Sequence, residues 1–119
     1  METEVAKEAV NATDEELAAQ AAAGSRSAFE ELVSRYSLRL FHFLRSCSRS
    51  DEDVEDLTQE TFLRAYRNIG RYDPQRRFST WLYTMAIRLS ISRQRSQRKK
   101  LLSLEREGPD ESTPGPRKA

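Results

Sequence analysis

The chain has 119 residues, 37% of them apolar and 33% charged, which limits it to one small domain with a modest core. A single cysteine and a single histidine exclude an internal disulfide and a four-ligand zinc site, and we expect neither metal nor cofactor. Because no apolar run approaches the ~20 residues that span a bilayer, and the acidic N-terminus lacks the features of a secretion signal, we expect a cytoplasmic protein without membrane insertion.

The first predicted helix follows a disordered lead. Residues 1–12 have low hydrophobicity and no strong periodic pattern, so we expect them to be disordered. Thr13 then begins the sequence TDEE, in which the Thr13 hydroxyl and the Glu16 carboxylate form a capping box. This signal predicts a short helix that runs to about Ala23 and ends at Gly24.

The second predicted helix is defined by an apolar stripe at steps of three and four residues, typical of a helix that faces a core. The stripe consists of Phe29, Leu32, Val33, Tyr36, Leu40, Phe43, Leu44 and Cys47. We interpret Cys47 as a core residue and His42 as a surface residue, and we expect no chemistry from either.

A third helix is predicted from Ser50, which can cap it, to Gly70, which can end it. Its first turn, 51–53, is acidic and complements the positive end of the helix dipole. The stripe that we expect to be buried consists of Val54, Leu57, Thr61, Ala65 and Ile69.

The fourth predicted helix follows a polar connection, 71–77, that contains Pro74. Either Ser79 or Thr80 can cap this helix, which continues into the basic segment 93–100 and should project beyond the core. The segment 101–119 has a linker composition rich in Pro, Gly, Ser and charge. We therefore predict an all-α fold, a compact bundle of about four helices over residues 13–100, between a disordered lead and a linker.

The charge of the chain reverses along its length, although the formal net charge is only +1. Residues 1–70 carry 8 Lys and Arg against 14 Asp and Glu, whereas residues 71–100 carry 9 against 1. An acidic helix face suits a protein partner, and a basic segment interleaved with aromatic residues suits a nucleic-acid backbone with unstacked bases. Two different surfaces are therefore expected.

On the acidic helix, Asp56 and Glu60 place two carboxylates on one face, next to Gln59. A solvated acidic face is a better interpretation of this pair than general acid or base catalysis, because no nucleophile, histidine or metal set accompanies it. We expect no enzyme activity. Phe62 and Tyr66 adjoin these acids, and aromatic residues rimmed by carboxylates could equally form a docking patch for a basic partner.

The sequence RRFSTWLY mixes guanidinium groups with aromatic rings. Arg76 and Arg77 can neutralise phosphates, and each ring that stacks on an unpaired base contributes about 1–3 kcal/mol. The alternative for Trp81 is core packing, because Trp81, Met85 and Leu89 recur every four residues. The basic segment 93–100 is either a solubilising helix end or a set of phosphate contacts.

Three segments, in order, resemble a known family. FEELVSRYSLRLFHFL, then DLTQETFLRAY, then RYDPQRRFSTWLYTMAIRLS are similar to the second conserved region of an extracytoplasmic-function (group IV) bacterial sigma factor, and the similarity covers about residues 13–100. The resemblance implies a transcription initiation factor domain that binds the clamp helices of the RNA polymerase β′ subunit. It also implies recognition and melting of the minus-ten promoter element by capture of flipped bases from the non-template strand.

The resemblance assigns residues to both surfaces. The residues expected to bind RNA polymerase are Asp56, Gln59, Glu60, Phe62 and Tyr66. Those expected to bind DNA are Arg71, Arg76, Arg77, Phe78, Ser79, Thr80, Trp81, Tyr83, Arg88, Ser92 and Arg95. An anti-sigma factor is a further expected partner.

The chain departs from the family at Arg88, where members commonly have Asn. An Asn amide both donates and accepts, whereas Arg only donates, so Arg88 should favour an acceptor-rich base or hold a phosphate. No helix-turn-helix follows the linker, so we expect the promoter-melting half of a longer factor. Two alternatives stay open: a protein-interaction module bound by an anti-sigma regulator, and a free-standing RNA-binding helical domain.

Overall fold

The computed structural model describes residues 11–48 and 50–106. Within these residues, four helices follow one another: α1 (Asp14–Ala22), α2 (Arg26–Arg45), α3 (Asp51–Asn68) and α4 (Phe78–Arg106), with a 3-10 turn at Ile69–Arg71. The described part contains no strand, which confirms the all-α prediction. None of its helices is long and apolar enough to cross a membrane. Most of the predicted lead, and the linker from residue 107 onward, lie outside the described residues.

The predicted capping signals of the first and third helices are confirmed. The Thr13 backbone N–H donates to Glu16 Oε1 at 2.8 Å, and the Glu16 N–H donates back to Thr13 Oγ1 at 3.0 Å. Gly24 ends α1 with a φ of 110°, a conformation that costs other residues more. The Ser50 hydroxyl accepts from the Asp53 N–H at 3.3 Å at the start of α3.

The start of α4 differs from the prediction. The helix begins at Phe78, so neither Ser79 nor Thr80 is its cap. The Phe78 N–H instead donates to Glu15 Oε2, in α1, at 2.9 Å. At its other end α4 continues to Arg106, beyond the predicted domain boundary at residue 100, with exposed side chains over 101–105.

Two apolar clusters hold the helices together. One joins α1, the first half of α2, the end of α3 and the start of α4, and its most deeply buried members include Leu17, Leu32, Phe78 and Leu82. The other joins the second half of α2 to α3 and the middle of α4 through Leu40, Leu44, Val54, Leu57, Ala86 and Leu89. Every helix contributes apolar side chains to these clusters, and their burial fixes the helices relative to one another. The two surfaces described below are therefore held in place.

Cys47 is exposed, so its prediction as a core residue was wrong. The helix α2 ends at Arg45, so Cys47 lies beyond it and the helical spacing of apolar residues does not place its side chain in the core. His42 is exposed, as predicted.

Candidate nucleic-acid groove and protein-docking face

A groove of about 840 Å³ lies between the C-terminal half of α3 and the first four turns of α4. Its lining residues are Arg64, Asn68, Arg76, Arg77, Thr80, Trp81, Thr84, Met85, Arg88, Leu89 and Ser92. Four of these are arginines and none is acidic, so the wall carries a concentrated positive charge. Such a groove combines phosphate-binding groups with an apolar floor.

Trp81 both packs on the core and lines the groove. Its ring is half-buried, with its centroid 5.2 Å from that of Tyr72 and 5.7 Å from that of Phe78. The two interpretations of Trp81 are therefore compatible, because one part of the ring is fixed by neighbouring rings while another part faces the groove.

Six of the predicted DNA-binding residues meet in this groove: Arg76, Arg77, Thr80, Trp81, Arg88 and Ser92. Arg71 is exposed on the 3-10 turn, outside the groove. Arg95 is exposed further along α4, in a shallow depression with Ser92 and Lys99.

Phe78, Ser79 and Tyr83 do not line the groove. Phe78 is only 1% exposed, so its prediction as a base-contacting residue is corrected: it belongs to the core. Ser79 lies in a separate depression with Asp14 and Tyr36, and the Tyr83 ring packs against Phe43 with centroids 5.0 Å apart. Because a helix turns every 3.6 residues, positions 79 and 83 point toward α2 when 77, 81 and 88 face the groove.

Sequence reasoning missed the α3 side of the groove, Arg64 and Asn68. They are spaced i,i+4, which places them on one face, but they fall outside the basic segment 71–100. Arg64 is also 3.6 Å from Glu60, at its Oε2 atom, so it links the groove to the acidic face.

The predicted protein-docking residues lie together on α3. Asp56 and Gln59 are exposed, Glu60 and Phe62 are partly buried, and Tyr66 is 49% exposed with its ring 5.0 Å from that of Phe29. Leu63, which sequence reasoning did not select, is 53% exposed on the same face. The face thus combines carboxylates with exposed apolar groups, as protein interfaces commonly do.

Arg93 of α4 joins the acidic residues to the basic helix. Its guanidinium nitrogens are 3.9 Å from Asp53, 3.8 Å from Asp56 and 3.4 Å from Glu60. Asp56 nevertheless keeps a side-chain exposure of 68%. The acidic face is therefore partly neutralised from within the chain, while Asp56 stays accessible to a partner.

The described residues contain no group of three or more His, Cys, Asp or Glu side chains that could hold a metal ion. The groove and the α3 face can bind charged partners, but neither brings a nucleophile together with a base.

Comparison with known proteins identifies the family. The Sigma-70 region 2 family matches residues 32–100, which is more than half of the chain. The chain belongs to this family. It is 37% identical over 75 residues to ECF RNA polymerase sigma factor SigW of Bacillus subtilis, covering 63% of this chain and 40% of that protein. It is 39% identical over 74 residues to RNA polymerase sigma factor CnrH of Cupriavidus metallidurans, covering 62% and 39%. These relatives confirm the resemblance to extracytoplasmic-function sigma factors.

Two solved structures share the fold. An engineered region 2 of sigmaE, determined by NMR in complex with GTAAAA, has 34% identity and a TM-score of 0.70, covering 76% of this chain and 94% of that one. CnrH in complex with the cytosolic domain of CnrY has 37% identity and a TM-score of 0.63, covering 66% and 51%. The chain spans about two fifths of the length of the curated relatives named above.

Proposed function

We propose that this domain binds core RNA polymerase through α3 and captures unpaired non-template bases of the minus-ten promoter element in the groove between α3 and α4. In this proposal it acts by position rather than by catalysis. Docking on the β′ clamp helices brings the groove to the duplex, and capture of bases offsets the few kcal/mol that unstacking costs.

The observation that carries this proposal is the composition of the groove. Arg76, Arg77 and Arg88 can neutralise successive phosphates, and Trp81 offers a ring fixed by its neighbours. Thr80 and Ser92 add hydroxyls that can donate to or accept from base edges. The complex of a similar sigmaE region 2 with GTAAAA supports the choice of DNA as the ligand.

The α3 face supports the polymerase contact by its chemistry. Asp56 and Gln59 are exposed polar groups, and Leu63 and Tyr66 supply apolar area beside them. A basic partner helix would meet carboxylates at the centre of this face and could compete with Arg93 for them.

The DNA half of the proposal is tested with holoenzyme assembled from core polymerase and the full chain, on fork-junction DNA. Arg76→Ala with Arg77→Ala should weaken binding and flatten its salt dependence by up to about two units of slope. The control is Arg26→Ala on α2, which removes one arginine side chain that is 85% exposed and should leave the salt slope unchanged. A salt slope equal to that of the unchanged chain would contradict the phosphate contacts.

The polymerase half is tested by charge reversal on α3. Asp56→Arg and Glu60→Arg should each abolish or greatly weaken binding to core polymerase, because like charges would meet across the interface. Glu30→Arg on α2 is the control, since Glu30 is also an exposed carboxylate on a helix. Unchanged affinity of the α3 variants would remove this assignment.

A second candidate is a domain held by an anti-sigma regulator. The similar structure of CnrH in complex with the cytosolic domain of CnrY favours it, because a related protein is there bound to another protein. Both functions can coexist if the regulator covers the α3 face. A free-standing RNA-binding module would instead bind single-stranded RNA without polymerase, which a direct binding assay on the isolated chain decides.

A further inference from the structure

We propose that Glu15 of α1, from outside the groove, positions the loop 72–77 and the first turn of α4 so that Arg76, Arg77 and Thr80 face the nucleic acid. This inference rests on the proposed DNA function and deepens it. Glu15 lies outside the residues matched by the family, which begin at Leu32.

The first observation is a bond between distant parts of the chain. Glu15 Oε2 accepts the Phe78 N–H at 2.9 Å, although 63 residues separate the two in sequence. The first amides of a helix need acceptors from outside it, and Arg77, which precedes the helix, has no acceptor in its side chain. A carboxylate at this end also complements the helix dipole. Glu15 therefore does what a local capping residue does in α1 and α3.

The second observation is that the loop closes on itself next to Glu15. The Arg76 N–H donates to the Asp73 carbonyl at 2.9 Å, and the Tyr72 hydroxyl donates to the Arg76 carbonyl. Burial raises the pKa of Tyr72, and the nearby charge of Glu15 raises it further. The loop thus has internal bonds at its middle, while Glu15 holds its end.

The third observation is that α1 is itself fixed. Asp14 accepts from Arg35 at 2.8 Å and from the Tyr36 hydroxyl, so its position is set by α2. The Tyr36 ring packs edge-on against Phe78 at 5.7 Å. Because Asp14 and Glu15 are adjacent, the bonds of Asp14 to α2 fix the backbone of α1 at the place where Glu15 reaches the Phe78 N–H.

The test uses three single variants of the full chain. Glu15→Met removes both oxygens but keeps the side chain's length, Glu15→Gln keeps one acceptor oxygen, and Glu16→Met makes the same change one residue away. Two properties are measured: hydrogen exchange of the Phe78 amide, and affinity of the assembled holoenzyme for fork-junction DNA. Binding to core polymerase is measured alongside.

Glu15→Met should accelerate exchange of the Phe78 amide and weaken DNA binding about fivefold, as expected for the loss of one helix cap. Glu15→Gln should keep both the exchange rate of the Phe78 amide and the DNA affinity within about twofold of the unchanged chain. Binding to core polymerase should not change in either variant. Glu16→Met should leave the Phe78 amide and DNA affinity unchanged, because Glu16 bonds only to its own cap at Thr13 among the bonds described.

Two outcomes would overturn the positioning role of Glu15. One is normal DNA affinity in Glu15→Met while Arg76→Ala with Arg77→Ala weakens it, which leaves the proposed function intact. The other is an equal loss in Glu15→Met and Glu16→Met, which would reflect general loosening of α1. If the double arginine variant itself binds DNA normally, the proposed DNA function fails instead.

Discussion

Replacement of Arg93 by Met should destabilise the domain by removing the charge that joins α4 to α3. Arg93 is 27% exposed and lies 3.4–3.9 Å from three carboxylates that are 35%, 68% and 40% exposed. Exposed pairs contribute at most about 1 kcal/mol each, and one guanidinium cannot engage all three fully, so we expect a loss of about 1–2 kcal/mol. Met retains the apolar stem, so the loss isolates the charge.

The measurement is urea unfolding at low salt and at about 1 M NaCl, where the screening length falls to about 3 Å. The loss should shrink at high salt. Arg98→Met is the control, because Arg98 is exposed on the same helix and lines a depression with Arg95 and Leu102. An equal loss in both variants, or a loss in Arg93→Met that salt does not change, would refute the reasoning. Arg93→Met should also bind core polymerase no more weakly, since it frees Asp56.

Two further predictions concern the support beneath the groove. Phe78→Ala should lower the free energy of unfolding in urea by about 3–5 kcal/mol, because Phe78 is buried. Phe78→Leu should lower it clearly less. A decrease under about 1 kcal/mol for Phe78→Ala would contradict the core position of Phe78. Burial raises the pKa of Tyr36, as does its bond to Asp14, so the folded state keeps the proton that the unfolded chain releases near pH 10. The free energy of unfolding should therefore be retained below about pH 10 and fall above it. Tyr36→Phe should reduce that fall. An equal fall in the unchanged chain and in Tyr36→Phe would contradict the assignment to Tyr36.

Local signals in the sequence predicted the helices well. The capping box at Thr13 and the cap at Ser50 depend on residues three positions apart, and the structure forms both as predicted. The start of α4 was misplaced because its acceptor, Glu15, is contributed by another helix. No local pattern around Ser79 could reveal that bond.

The candidate site was only partly predictable for the same reason. Charge and aromatic content identified Arg76, Arg77 and Trp81, which do line one groove. The contribution of Arg64 required knowing which face of α3 meets α4, and the burial of Phe78 required knowing the register of α4. Both are properties of tertiary packing, which periodicity along one segment does not determine.

The most direct test of the central claim is a photo-crosslink from the groove to single bases. A photoreactive residue replaces Thr84, which lines the groove, or Ile87, which is 40% exposed outside it. With core polymerase and fork-junction DNA, we predict crosslinks from position 84 to unpaired minus-ten bases of the non-template strand, and none from position 87. Crosslinks of equal yield from both positions, or from position 84 only to the template strand or the duplex, would contradict the account.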